Sequence, residues 1–356
     1  MSIIGSLLVP LLVIGAIVYF IRHKKGASGN TANRQFSAFL SIEDAVSELF
    51  LLLAFCFLGV TLLSFNKEFD LFMPWQAILL ITSAIGLAGA YFFRTVYVLA
   101  FSVIGLAGWW GYQASLWAEK ADIKAIAIMA GLFFIALFLY TLGRSHEFLP
   151  RLKRFSLVYV ILGVVSVTGC LFVLSTQIGI KFLNEMTGGL SVFSSWSIVL
   201  SLFTFLVALI ISALYAASKK AISVYEIIAL LALAILMSFS VLTLKPTLIA
   251  GLNRYSMTGV ANLTSAGILW AIIFNIAIFA ELIGLIFVGY LRKETWLINL
   301  GAIILFLLII VKYFDWFFSF MNKGIFFTGA GLLLLILGWL MEKSRRYVIS
   351  EIQTQQ

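Results

Sequence analysis

The chain repeats one pattern almost from end to end: an apolar run of about 20 residues, then a short polar segment carrying Arg or Lys. A run of that length is what an α-helix needs to cross ~30 Å of hydrocarbon. The runs are continuous, so they do not fit the alternating strands of a membrane barrel. In lipid every backbone N–H and C=O must be paired within the segment, which leaves helices as the fold such runs permit. The pattern therefore predicts an all-α, polytopic transmembrane helix bundle of eleven spans. Composition agrees, with 63% hydrophobic residues and 11% charged ones, against roughly a quarter charged in soluble domains.

The spans read as Ile3–Ile21, Leu49–Phe65, Trp75–Phe93, Val96–Trp117, Ile123–Leu142 and Ser156–Thr176, then Ser197–Ala217, Val224–Leu244, Gly267–Tyr290, Trp296–Lys312 and Ile325–Met341. Basic residues orient them. With the N-terminus outside, sixteen Lys and Arg fall on the cytoplasmic side and eight on the outer side, a clear positive-inside bias. Removing any one span would put the basic clusters after it on the wrong side. The net charge of +9 thus reflects topology, and no nucleic-acid partner is implied. Arg22-His23-Lys24-Lys25 follows the first run and does not precede it, the reverse of a secretory signal, so residues 1–21 read as a retained anchor helix.

Residues 22–48 read as a cytoplasmic basic linker followed by an amphipathic interfacial helix, with Phe36, Phe39 and Leu40 on one side and Ser41 and Asp44 in a capping pattern. Residues 49–346 form a ten-span bundle, and 347–356 a cytoplasmic tail. No loop is long enough for a soluble domain. Asn262-Leu263-Thr264 fits a glycosylation sequon on the outer side.

Glu281 stands out among the polar residues. At least ten residues separate it from the next charge on either side, near mid-membrane, where an acid costs roughly 2.5–3.5 kcal/mol on insertion scales. Its helical neighbours Ala277, Ala280 and Gly284 are small, so that face packs against another helix. Asn275 lies about a third of a turn round and joins Glu281 as a substrate or proton site candidate. The competing reading is an acid that only hydrogen-bonds across helices. Glu226, two residues into its span and near Lys219 and Lys220, reads as a snorkelling interfacial residue. Lys312 and Asp315, at i and i+3, read as an outer interfacial ion pair beside Tyr313 and Trp316.

Small residues mark expected close packing. Gly86 and Gly89 in one span and Gly105 and Gly108 in the next repeat a Gly-Leu-Ala-Gly motif, and Gly331 and Gly338 share a stripe in the last span, set to pack on the Glu281 helix with its Gly284. Cys56 and Cys170 lie inside spans and read as packing residues, and His23 and His146 read as solvated. No phosphate loop, zinc-protease or serine-hydrolase motif occurs, so no metal, cofactor or catalytic residue is assigned.

From Gly284 to Arg346 the chain resembles the domain-of-unknown-function 2157 type of bacterial membrane protein. The residues concerned are Gly289-Tyr290-Leu291-Arg292-Lys293, Leu297-Ile298-Asn299-Leu300-Gly301, Lys312-Tyr313-Phe314-Asp315 and Gly329-Ala330-Gly331-Leu332-Leu333-Leu334 with Arg345-Arg346. Members usually carry Arg where Lys312 stands, which would weaken any bidentate contact there. The resemblance implies a bacterial inner-membrane protein and brings no activity with it. Three functional expectations follow: a transporter or permease-like protein using Glu281, a non-catalytic envelope scaffold or assembly partner, and, last, an embedded enzyme acting on lipid-linked substrate. The implied partners are the lipid bilayer and either other membrane proteins or a small-molecule substrate.

Overall fold

A computed structural model describes residues 42–69, 73–121, 125–149, 152–176, 179–180, 192–243, 264–317 and 323–354. The expected first span, the basic linker and the sequon residues Asn262 and Leu263 lie outside them. Ten α-helices make up nearly all of what is described, with one 3-10 turn at Val192–Ser194. They are α1 Ile42–Glu68, α2 Trp75–Phe93, α3 Val96–Ala121, α4 Ala125–His146, α5 Lys153–Ser175, α6 Trp196–Ser218, α7 Val224–Thr243, α8 Ser265–Arg292, α9 Thr295–Phe317 and α10 Lys323–Thr354.

Eight of these, α1, α2 and α4 to α9, are long and apolar enough to cross a membrane. The protein is an integral membrane protein. Helix α3 is as long as its neighbours, but Trp109, Trp110, Tyr112, Gln113, Glu119 and Lys120 lower its hydropathy. In α10 the apolar part is the shorter stretch Phe327–Ile336, and the helix continues through the residues expected to form a tail. The expected interfacial segment is likewise continuous with its span, since α1 runs unbroken from Ile42 through Glu48 into the apolar part. Large side chains such as Leu200, Phe203 and Leu214 on α6 and Leu231 and Ile235 on α7 are exposed, as lipid-facing residues should be.

Two compact units divide the chain: Met1–Leu116 with Leu139–Leu162, and Trp117–Phe138 with Gly163–Gln356. In the first, Asn66 clamps the α1–α2 connection. Its Nδ2 donates to the Met73 carbonyl and its Oδ1 accepts the Met73 N–H, both at 2.9 Å. Glu48 reaches from α1 to accept the Val96 N–H at 3.0 Å, placing an acid at the start of α3, where the helix dipole favours it. Helices α2 and α3 approach through reciprocal small residues: a Cβ on Gly86 would strike Ser102 and Phe55, and one on Gly105 would strike Ser83. At Gly143, where α4 meets α5, a Cβ would lie 2.8 Å from the Val160 nitrogen and 2.9 Å from the Ser156 oxygen. Glycine is what lets those two backbones touch.

In the second unit α8 and α9 form a hairpin closed in the same manner, with Gly289 against Ile298 and Gly301 against Ile286 and Leu282. The last helix packs on α9, where Gly329 faces the Tyr313 hydroxyl, and not chiefly on the Glu281 helix as its glycine stripe suggested. Among the described residues, a Cβ at Gly89, Gly108, Gly284, Gly331 or Gly338 would meet nothing within 4 Å. The close approaches belong to other glycines.

Three connections share one turn. Arg94, Lys220 and Lys293 take the left-handed conformation at φ 58°, 57° and 57°. The next residue in each donates its N–H five residues back: Thr95 to Ala90, Ala221 to Ala216 and Glu294 to Gly289. This is the helix-ending geometry glycine usually supplies, and a side chain there costs roughly 1–2 kcal/mol. A basic side chain brings a compensating attraction to the negative end of the helix it terminates.

Candidate functional site

In the second unit, α8, α9 and the part of α5 from Gly163 onward hold a seam of polar groups inside apolar spans. Thr168 Oγ1 lies 2.6 Å from Glu281 Oε1, joining α5 to α8. Further along, the Ser175 carbonyl at the end of α5 accepts from Asn275 Nδ2 at 3.1 Å and from Lys312 Nζ at 2.5 Å. Seven residues on α5 and six on α8 separate the two levels, about 10 Å of helix in each case. Position rises along α5 as it falls along α8, so the pair is antiparallel and both contacts stay in register.

Each polar group has a physical reason to be there. Ser175 ends its helix, so its carbonyl has no next turn to bond with, and a buried orphan carbonyl is costly. Asn275 and Lys312 supply the donors. The Asn275 amide also donates to Ala271 at 2.7 Å, so both its hydrogens face carbonyls, which settles which amide atom is nitrogen. Among the described residues its Oδ1 is then left buried without a hydrogen-bond partner, as is Glu281 Oε2. An open groove of about 580 Å³ runs along α8 past Ile268, Ile272, Asn275, Ile276 and Ile283. Among the described residues its lining includes Asn275 and not Glu281.

The structure thus connects Glu281 and Asn275 to one partner helix. Lys312, expected at an outer interface, is only 4% exposed and turned onto Ser175. The side chain of Asp315 lies outside the described residues. Thr264, the last residue of the sequon, caps α8 by accepting the Gly267 N–H.

Two polar clusters escaped the sequence. Glu226 does not snorkel towards Lys219 and Lys220. It is 3% exposed and pairs with Arg292 Nε at 3.4 Å, joining α7 to α8. Arg292 also donates to the Ala221 carbonyl, and Glu226 accepts the Ser223 N–H at 2.7 Å. The Ser223-Val224-Tyr225-Glu226 capping box was the available signal. In the first unit His146 is buried, not solvated. Its Nδ1–H donates to the Leu142 carbonyl at 2.7 Å, so Nε2 takes the Tyr91 hydroxyl at 3.1 Å, and Tyr91 meets Tyr159 at 3.0 Å. Nearby, Arg144, 1% exposed, pairs with Glu147 at 2.7 Å and lies over the Tyr140 ring. No local pattern announces the Tyr91 contacts, because His146 and Tyr159 lie 55 and 68 residues away in sequence.

Among the described residues no group of three His, Cys, Asp or Glu could hold a metal ion. Cys56 and Cys170 are unpaired thiols, the first exposed and the second half-buried. Searches with family models, curated proteins and solved structures return no match to the chain.

Proposed function

We propose that the chain is a permease-like protein of the bacterial inner membrane, with Glu281 as its protonatable site and Asn275 and Lys312 as the adjoining polar level. The observation that carries it is the Glu281 carboxyl itself. It is held within a membrane span by Thr168 of another helix, with its second oxygen buried and without a partner among the described residues. An ionisable group at that depth is costly and typically marks an ion or substrate pathway. The open groove along α8 brushes Asn275 at the other level of the seam. No enzymatic step belongs to this proposal. The resemblance of residues 284–346 to the domain-of-unknown-function 2157 type supports the bacterial inner membrane as location, and the sixteen-to-eight distribution of Lys and Arg supports a cytoplasmic C-terminus.

A second reading is favoured by the groove lining, which does not include Glu281. In it the chain is an envelope scaffold and Glu281 only a cross-helix hydrogen bond. Reconstituted vesicles separate the two. The full chain is placed in liposomes with an entrapped pH dye and an imposed membrane potential. Proton entry through the wild type is expected to exceed that through Glu281→Gln by about tenfold, the loss of one ~1.4 kcal/mol contribution. Glutamine keeps the volume and can still bond Thr168. Equal rates in two proteins that melt alike would remove the transport reading and leave the scaffold.

A further inference from the structure

Thr168 has one hydroxyl hydrogen, yet two oxygens lie within bonding distance of its Oγ1. The Val164 carbonyl is 2.9 Å away and Glu281 Oε1 is 2.6 Å away. A carbonyl can only accept, and so can a carboxylate. With Glu281 ionised, one hydrogen would have to serve both oxygens, leaving the other pair in contact with nothing between. Both contacts are satisfied when the carboxyl carries its own hydrogen. Glu281 then donates to Thr168, and Thr168 donates to Val164. The shorter distance lies within the ordinary O–H···O range. Among the described residues no other group bonds Glu281, which would be the place to look for a compensating cation.

We propose that Thr168 is the positioning residue of a proton site: Glu281 is present here as the neutral acid, and releasing its proton turns the Thr168 hydroxyl from Val164 to the carboxylate. The inference rests on the reading of Glu281 as the proton site of the seam. In the release step the Glu281 O–H bond breaks, its electron pair stays on the carboxylate, and the proton passes to water entering the seam. The Thr168 O–H bond stays intact and only rotates. Val164 loses little, because a helical carbonyl at i−4 still accepts the backbone N–H of Thr168. The hydroxyl is therefore free to serve whichever form of the acid is present.

The neighbouring titratable groups are distant enough to leave this exchange local. Lys312 of α9 sits on Ser175, about 10 Å further along α5. Arg292 and Glu226 form their pair at the α7–α8 end, eleven residues from Glu281 and about 16 Å along the helix. On α5 itself the Cys170 thiol is half-buried two residues from Thr168.

Infrared difference spectroscopy on the full chain in lipid bilayers, titrated with pH, tests the assignment. The wild type should show the C=O stretch of a neutral carboxyl that Glu281→Gln removes. Thr168→Val should move that band to higher frequency and displace its pH profile, and Thr168→Ser should restore both. Thr168→Ala, which adds no methyl group, carries the same expectation as the valine variant and guards against a packing fault. Absence of the band from the folded wild type overturns the neutral acid. A band that neither Thr168→Val nor Thr168→Ala moves overturns the positioning role. Either result leaves the vesicle flux test standing, whereas flux that survives Glu281→Gln removes the transport reading and leaves the band in place.

Discussion

Arg292→Ala is expected to destabilise the protein by about 3–5 kcal/mol, the largest loss of any single substitution considered. The guanidinium joins three things: Glu226 at 3.4 Å, Glu294 at 3.5 Å and the Ala221 carbonyl. Truncating it removes the guanidinium that faces the Glu226 carboxylate, 3% exposed, and the cost of breaking such a buried ion pair exceeds the worth of the pair itself. It also frees the turn at Lys220–Ala221 that joins α6 to α7. The double variant Arg292→Met with Glu226→Leu should recover most of the loss, since an apolar pair of similar volume carries no unpaired charge. Glu294→Gln should cost under about 1 kcal/mol, because both members of that pair meet solvent. Unfolding in detergent micelles reads all three. An Arg292→Ala protein as stable as the wild type would show that the ion pair does not hold the α7–α8 end together.

Gly143→Val should cost about 2–3 kcal/mol through overpacking. The added Cβ would meet the Val160 nitrogen and the Ser156 oxygen below 3 Å, and backbone cannot swing aside as a side-chain tip can. Helices α4 and α5 would have to part at that turn, one turn from His146. The hydrogen bonds of Tyr91 with His146 and Tyr159 span the same region, so their tyrosine signals should change with the stability. Gly89→Val is the control. A Cβ there meets nothing within 4 Å among the described residues, and the effect should stay within about 0.5 kcal/mol. Equal losses at Gly143 and Gly89 would mean that the cost lies in the valine and not in the close approach.

The helices were legible because their signal is local. Apolar runs of sufficient length announce themselves, and the boundaries of α2, Trp75–Phe93, coincide with the expected span. Eight helices meet the length and hydropathy of a membrane span. Helix α3 forms where a span was expected, but its Trp, Tyr and Gln residues keep it out of that eight. Pairing between helices was far less legible. Glu281 was visible as an isolated acid, while nothing in its own neighbourhood points to Thr168, 113 residues earlier. Glu226 was assigned to the nearest basic residues in sequence, and the structure gives it to Arg292. Lys312 was read with Asp315 as an outer pair, and nothing near it in sequence points to the Ser175 carbonyl, 137 residues earlier, to which it donates. His146 was judged by its basic flanks, although the tyrosines that bury it come from two other helices.

Water access to the seam is the property that separates a pathway from a packing device, and a cysteine at Asn275 reports it most directly. In a background of Cys56→Ser and Cys170→Ala, Asn275→Cys is exposed in intact membranes to a charged, membrane-impermeant thiol reagent, then to a small permeant maleimide. Reaction needs the thiolate, which forms only where water reaches. A permease-like seam predicts modification by the impermeant reagent. Protection from both reagents in the folded protein, with modification only after denaturation, would place Asn275 among packed helices and lipid and contradict a water-filled path.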